Sequence, residues 1–246
     1  MHAMDQVSII AAAGLRARIE SLDMLANNIA NASTGGYKGD GEFYTLFTSE
    51  AAKADGTPPS TLPMIQRLWT DFSQGSLEPT NNPLDLGISG KGFFVVQGPS
   101  GPLYTRNGSF QITSAGQIAT PEGYGLTDRG GQALKADPNK PLEISLDGNI
   151  RQGGQLVGQV NLVEFQDPSV LVKQGNNYFR PANKETPTEA TNVQVHQGKI
   201  EASNVNASQA AVRLVTVMRQ FEMMQKAATI SGDMNKKAIE EVARVS

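Results

Sequence analysis

Two long helical patterns, one near each end of the chain, enclose a stretch with no helical period at all. From Asp5 to about Asn31 apolar residues recur at helical spacing: Ala11, Leu15, Leu22, Leu25 and Ile29. Leu15, Leu22 and Ile29 form an a-type heptad row, although Arg18 interrupts the d-type row. The period returns from Asn206 to about Arg244 with Ala210, Leu214, Val217, Met218, Phe221, Met224 and Ala228; Ile230 and Met234 continue it less regularly. At ~1.5 Å per residue this second pattern makes a rod of roughly 55 Å, longer than a domain of this size needs. Each apolar stripe is narrow for a core-facing helix and suits a coiled-coil seam. The simplest arrangement pairs the helices antiparallel; the alternative lays both on the middle of the chain as covers.

The middle reads as strands. Gly92–Gln97 ("GFFVVQ") has the short continuous apolar pattern of a buried strand. Leu103–Ile112 carries Asn107-Gly108 between β-prone runs, and Leu142–Gln152 carries Asp147-Gly148, both hairpin signals. Gln159–Asp167 is a further strand, bounded by "DPS". No helical segments alternate with these runs, so the sheet is expected to be antiparallel. The fold expected is therefore α+β, with long N- and C-terminal helices paired as an antiparallel coiled coil flanking a mainly antiparallel β domain. The boundaries expected are 1–38 for the first helix, 39–83 for a linker or extended segment, 84–200 for the β-rich domain and 201–246 for the second helix. "AAKADGTPPSTLP" gives the linker its composition.

Composition removes several chemistries. The chain of 246 residues has no cysteine, which excludes thiol catalysis, sulfur-held zinc and disulfides. Its net charge of −3 shows no basic excess for nucleic acid or an anionic membrane. No stretch reaches the ~18 apolar residues of a membrane span, and the first residues lack the basic region of a cleaved signal. Of the two histidines, His2 is terminal and His196 sits in a strand-like run without a ligand partner. "GISGKG" (Gly87–Gly92) fails both the phosphate-loop and nucleophile-elbow patterns and reads as a tight turn. Asp71, Glu78, Asp85, Glu122, Asp128, Glu143 and Asp147 are scattered; a glycosidase would need two of them facing across a cleft. No catalytic, cofactor or metal residue is assigned, and no cofactor is expected.

The end of the first helix is unusual. Asn27, Asn28 and Asn31 crowd one turn, although asparagine is about 0.6 kcal/mol worse than alanine inside a helix. Two readings stand: a frayed last turn with local caps, or amides placed in a helix interface to fix register. Thr34-Gly35-Gly36 is the expected stop. Asn206 with Gln209 resembles a capping box for the second helix.

These residues carry a resemblance. "SLDMLANNIANASTGGYK" (Ser21–Lys38) is similar to the N-terminal signature of the bacterial flagellar rod and hook proteins, at Leu22, Ala26, Asn27, Asn28, Ala30, Asn31, Thr34, Gly36, Tyr37 and Lys38. That family often has proline or threonine where this chain has Gly35. Asn81–Leu126 resembles its shared β-domain signature. "GKIEASNVNASQAAVRLVTVMRQFEMMQKA" resembles its C-terminal signature at Gly198, Ile200, Glu201, Ser203, Asn204, Val205, Arg219, Phe221, Glu222 and Lys226. The short length and "RQFEMMQK" favour the proximal rod protein; the distal rod protein is the alternative. The resemblance implies export by the flagellar type III apparatus without cleavage. It implies polymerisation with copies of itself and other axial proteins into the basal-body rod across the periplasm, with terminal helices inside and β domains outside. A non-enzymatic, torque-transmitting role follows. The subunit interface expected is Leu15, Leu22, Leu25, Asn27, Asn28, Ile29, Asn31, Ser203, Asn204, Val205, Leu214, Met218, Phe221 and Met224. A rival of another class is a secreted β-domain adhesin or carbohydrate-binding module with oligomerising helical ends; it would show an exposed aromatic cluster, and Trp69 lies outside the main strand region.

Overall fold

The computed structural model describes residues 2–48, 61–183 and 185–245. The chain forms two compact units. Unit 1 comprises Met1–Ala30, Asp40–Trp69 and Asn206–Ser246; unit 2 comprises Asn31–Gly39 and Thr70–Val205.

Unit 1 contains helix α1 (His2–Ala30) and helix α2 (Ala207–Val245), with strands β1 (Asp40–Thr48) and β2 (Thr61–Thr70) paired as a two-stranded ribbon. The ribbon occupies much of the stretch expected as linker; Ala51–Ser60, with its Pro-Pro pair, lies outside the described residues. Asn206 caps α2, its Oδ1 accepting the Gln209 amide at 3.1 Å, as the capping pattern predicts.

The expected coiled coil is not there. Among the described residues no long paired seam is shown along the helices: Met24, Leu25 and Val217 form one short buried cluster, with Leu22 and Leu214 packed against it. At Gly14 an added Cβ would lie 2.3 Å from Met224 Cε, so glycine admits that side chain. The heptad reading fails because the apolar residues of α2 do not share one stripe. At about 100° per residue, Leu214, Val217, Phe221 and Met224 lie on one side and Val212, Met223, Ile230 and Met234 on nearly the opposite side. The latter four are 69%, 64%, 52% and 66% exposed.

Unit 2 is antiparallel, as expected. Its centre is β5 (Phe93–Gly98), flanked on one edge by β6 (Gly101–Thr105) and on the other by β9 (Gly125–Leu126) and β13 (Leu162–Glu164). Alternate residues of a strand point to opposite faces, and here both faces are covered. Phe94 and Val96 enter a core with Ile88, Leu126, Ile150 and Val195. Phe93 and Val95 enter a second core with Tyr104, Phe165 and Phe179. Burying each such side chain stabilises by about 1.5–3 kcal/mol.

One hairpin expectation holds and one does not. β10 (Leu142–Ile144) and β11 (Asn149–Gln152) pair around Asp147-Gly148, with Gly148 at φ +78° and its amide bonded to Ser145 O. Asn107-Gly108, by contrast, joins β6 to β7 (Gln111–Ile112), which do not pair with each other; β7 pairs with β8 (Ile118–Ala119). Gly108 serves close approach, since a Cβ there would fall 1.7 Å from Leu86 O. The true β5–β6 hairpin turns at Pro99-Ser100, between the paired Gly98 and Gly101.

The two ends of unit 2 meet in its sheets. β3 (Leu77–Pro79) pairs with β18 (Lys199–Glu201), and β4 (Leu86–Ser89) with β17 (Gln194–Gln197). Residues at the start of the unit are thus zipped to residues at its end.

Candidate functional site

In unit 1 the two-stranded ribbon pins the pair of helices. Asn28, 6% exposed, holds the ribbon by both ends of its amide. Its Nδ2 donates to Asp40 O at 2.7 Å, and its Oδ1 accepts the Asp40 amide at 2.9 Å. That is how a poor helix former is accommodated in the last turn of α1: it satisfies backbone groups of the next strand. Glu42, on β1, makes a second pin. Ser21 Oγ donates to Glu42 Oε2 at 2.5 Å, and Arg213 of α2 lies 2.9 Å from Oε1. The Glu42 side chain is fully buried, while Arg213 is half exposed.

Of the interface residues expected from sequence, Leu22, Leu25 and Leu214 come together in the short cluster. Leu15, Ile29, Phe221 and Met224 are half-buried, and Asn27 and Met218 are exposed. Asn31, Ser203, Asn204 and Val205 belong to unit 2. Asn31 Oδ1 accepts the Thr34 hydroxyl at 3.3 Å.

In unit 2 the connectors that lead to the helices form a junction. The incoming connector, Asn31–Gly39, turns at Gly36 (φ +68°), where a Cβ would meet Asn107 N at 2.3 Å. Gly35 is different: a Cβ there would make ordinary contacts of 3.5–3.6 Å, so the site has room for a Cβ. The Gly36 amide donates to Glu201 O at 2.7 Å. Asn204 ties the outgoing connector to the incoming one, accepting the Gly39 amide at 2.8 Å and donating to Asp71 O at 2.8 Å.

Beneath these bonds lies an ion cluster. Lys38 and Glu201 side chains are 0% exposed and Arg106 is 4% exposed. Lys38 Nζ is 2.6 Å from Glu201 Oε1 and 2.7 Å from Ser73 O. Glu201 Oε1 also accepts the Gly75 amide at 2.9 Å. Arg106 donates to Gly90 O at 2.7 Å, faces Glu201 Oε2 at 3.4 Å and stacks over Phe93. Burial pulls the Lys38 ammonium below its ordinary range, with Glu201 opposing that shift; Arg106 is lowered for the same reason and opposed by the same carboxylate. Two buried cations therefore share one buried carboxylate. Removing one partner from such a set costs about 3–5 kcal/mol.

The scattered carboxylates have local duties. Asp71 accepts the Ser73 amide, Asp85 the Asn82 side chain, Asp128 the Gln132 amide, and Glu122 the Tyr178 hydroxyl. Among the described residues no group of three His, Asp or Glu is placed to hold a metal, and no helix is long and apolar enough to cross a membrane. Trp69 is 40% exposed near the end of β2, against Gly41.

Sequence reasoning found Lys38 and Glu201 only as members of a resemblance. A lysine after a tyrosine and a glutamate after an isoleucine carry no local mark of partnership across 163 residues. Glu42 and Arg106 were not found, because nothing in their neighbourhoods distinguishes them from solvated charges.

A chain whose first and last segments share one unit, whose connectors are clamped together and whose buried charges hold backbone in place has the build of a structural subunit. Comparison with known proteins agrees. Residues 87–202 match the flagellar hook protein FlgE/F/G D1 domain, residues 196–241 the flagellar basal body rod FlgEFG protein C-terminal region, and residues 10–38 the flagella basal body rod protein family. The flagellar basal-body rod protein FlgF of Caulobacter vibrioides is 34% identical over 227 residues, covering 92% of this chain and 93% of that protein. FlgF of Mesorhizobium japonicum is 33% identical over 86% of this chain and 89% of its own length. FlgG of Buchnera aphidicola subsp. Schizaphis graminum is 31% identical over 93% of this chain and 96% of its own length. The chain belongs to the flagellar basal-body rod protein family.

Proposed function

We propose that this chain is the proximal subunit of the flagellar rod, a structural protein of the basal body that carries torque and performs no catalysis. The similarity to FlgF proteins along nearly the whole of both chains supports this reading. In it, copies of the chain and other rod proteins pack through the terminal helices in a heterologous, open helical array. The exposed apolar side of α2, with Val212, Met223, Ile230 and Met234, then meets neighbours together with the half-buried Leu15, Ile29, Phe221 and Met224. Met218 and Asn27 take part in that contact, and Asn31, Ser203 and Val205 of unit 2 make a subunit contact of their own. Export through the flagellar type III apparatus without cleavage and a position across the periplasm complete the reading.

Because the chain has no cysteine, single thiols can be placed at will. Met223→Cys and Met234→Cys in purified basal bodies should form cross-links to adjacent rod subunits, whereas Leu146→Cys on unit 2 should not cross-link to helices. Fully motile cells whose basal bodies yield no helix cross-link would overturn the assembly reading. The distal position is the second reading, favoured by the 31% identity with FlgG over 93% of this chain. A density label fused to the chain distinguishes the two: proximal placement puts it at the motor end of the rod, distal placement at the hook end.

A further inference from the structure

The ion cluster sits where the chain's first and last connectors cross, and this placement has a dynamic consequence. Lys38 lies on the incoming connector, Arg106 in the loop after β6, and Glu201 on β18, the last strand before the outgoing connector. Glu201 is held at four points. Its carbonyl accepts the Gly36 amide, its Oε1 takes Lys38 and the Gly75 amide, and its Oε2 faces Arg106. The adjoining Ala202 amide donates to Ser76 O. If β18 withdraws, the Lys38 ammonium keeps the Ser73 carbonyl and the attraction of Asp71, and Arg106 keeps the Gly90 carbonyl, while the connector's backbone keeps Lys173 on Lys38 O and Asn177 on Gly35 O. Two cations cannot remain buried so poorly compensated, so water must enter and the incoming connector must release as well. The large sheet does not share this dependence, because β5, β6, β9 and β13 pair with one another and not with β3 or β18.

We propose that Lys38, Arg106 and Glu201 form an ionic lock on a concerted local opening, in which both connectors leave unit 2 together while its large sheet stays folded. The lock makes the crossing two-state: the connectors are held side by side or released as a pair. This inference concerns the free subunit and stands whether the chain is a proximal or a distal rod protein.

Amide hydrogen exchange on the full chain tests it. Glu201→Gln leaves two buried cations without the buried carboxylate they share, and only the less buried Asp71 as a counter-charge on Lys38. Exchange at Gly36, Gly75 and Ala202 should rise together by about a hundredfold or more, the size expected when a buried pair is broken and a local unit opens. The Leu134 amide, bonded to Leu126 O on β9 of the large sheet, should stay within about threefold. Adding Lys38→Met restores the original excess of one positive charge and should return most of the protection at Gly36 and Ala202, which an ordinary packing defect would not do. A rise confined to Gly75, which merely loses its direct acceptor, would overturn the proposal. So would an equal rise at Leu134, or a failure of Lys38→Met to rescue. If Glu201→Gln does not accumulate as folded protein, the unaltered chain answers in low urea. Gly36, Gly75 and Ala202 should then merge onto one opening curve below that of Leu134; a merge with Leu134 would overturn the lock.

Discussion

In unit 2 both faces of the central strand are covered and two buried cations share one buried carboxylate at the junction; in unit 1, among the described residues, a helix of 39 residues buries Val217 in a short apolar cluster and exposes large apolar side chains on its far side. The difference lies in where each unit obtains its free energy. A twisted sheet with side chains alternating to two cores stabilises itself by burial alone. A two-helix unit buries one side of each helix at best, and ordering every residue costs about 1–2 kcal/mol. Unit 1 therefore depends on polar pins, Asn28 to Asp40 and Glu42 to Ser21 and Arg213, where unit 2 depends on apolar volume.

The largest effect is expected at Gly36. Gly36→Ala drives a Cβ into the Arg106–Asn107 backbone at a left-handed φ, and should destabilise unit 2 by about 3–5 kcal/mol in urea unfolding. A cost below about 1 kcal/mol would show that the junction is not tightly packed. Asn28→Ala should come next. It strands both Asp40 backbone groups and should cost about 2 kcal/mol, read as faster exchange at the Asp40 amide with the unit 2 core unaffected. A matching loss of protection at Leu134 would show that the two units unfold as one.

Tyr178→Phe gives a smaller effect that depends on pH. Burial, then the Glu122 hydrogen bond, raises the Tyr178 phenol above its ordinary 10.0. A folded-state value above the unfolded one means the folded chain binds more protons at high pH, so this contribution is fully present below pH 10 and is lost as pH climbs through the folded value. Below pH 10 the variant should lose about 1 kcal/mol for the hydrogen bond, and between pH 10 and about 11 the gap between variant and parent should shrink. Urea midpoints at pH 8 and pH 11 measure both; a gap that widens at pH 11 contradicts the sign. Two substitutions should hardly register in the isolated subunit. Gly35→Ala and Met234→Ser should each stay within about 0.5 kcal/mol in thermal unfolding, one having room for a Cβ and the other lying exposed. Met234→Ser should nonetheless weaken incorporation into basal bodies if α2 meets a neighbour there.

The α+β organisation was legible because period is a local property. Apolar spacing near 3.6 marked both helices, the continuous run of Gly92–Gln97 marked the central strand, and Asp147-Gly148 marked a turn that needs a left-handed glycine. Asn107-Gly108 misled for an instructive reason: glycine is also required where two backbones touch, and the dipeptide alone does not say which demand it meets. The heptad row of α1 misled similarly. A seam needs matching rows on both helices, and α2 divides its apolar residues between two sides.

The sequence by itself determined the two terminal helices, the antiparallel β character between them and, through three ordered signatures, the family. Only the tertiary structure decided that Asn28 holds a strand, that Glu42 joins α1 to α2, and that Lys38, Arg106 and Glu201 share one buried site. The physical reason is range. Helix and turn preferences are set by neighbours a few residues apart, whereas a buried ion cluster joins residues 95 and 163 positions from its carboxylate, and its energy exists only once the fold has removed the water between them.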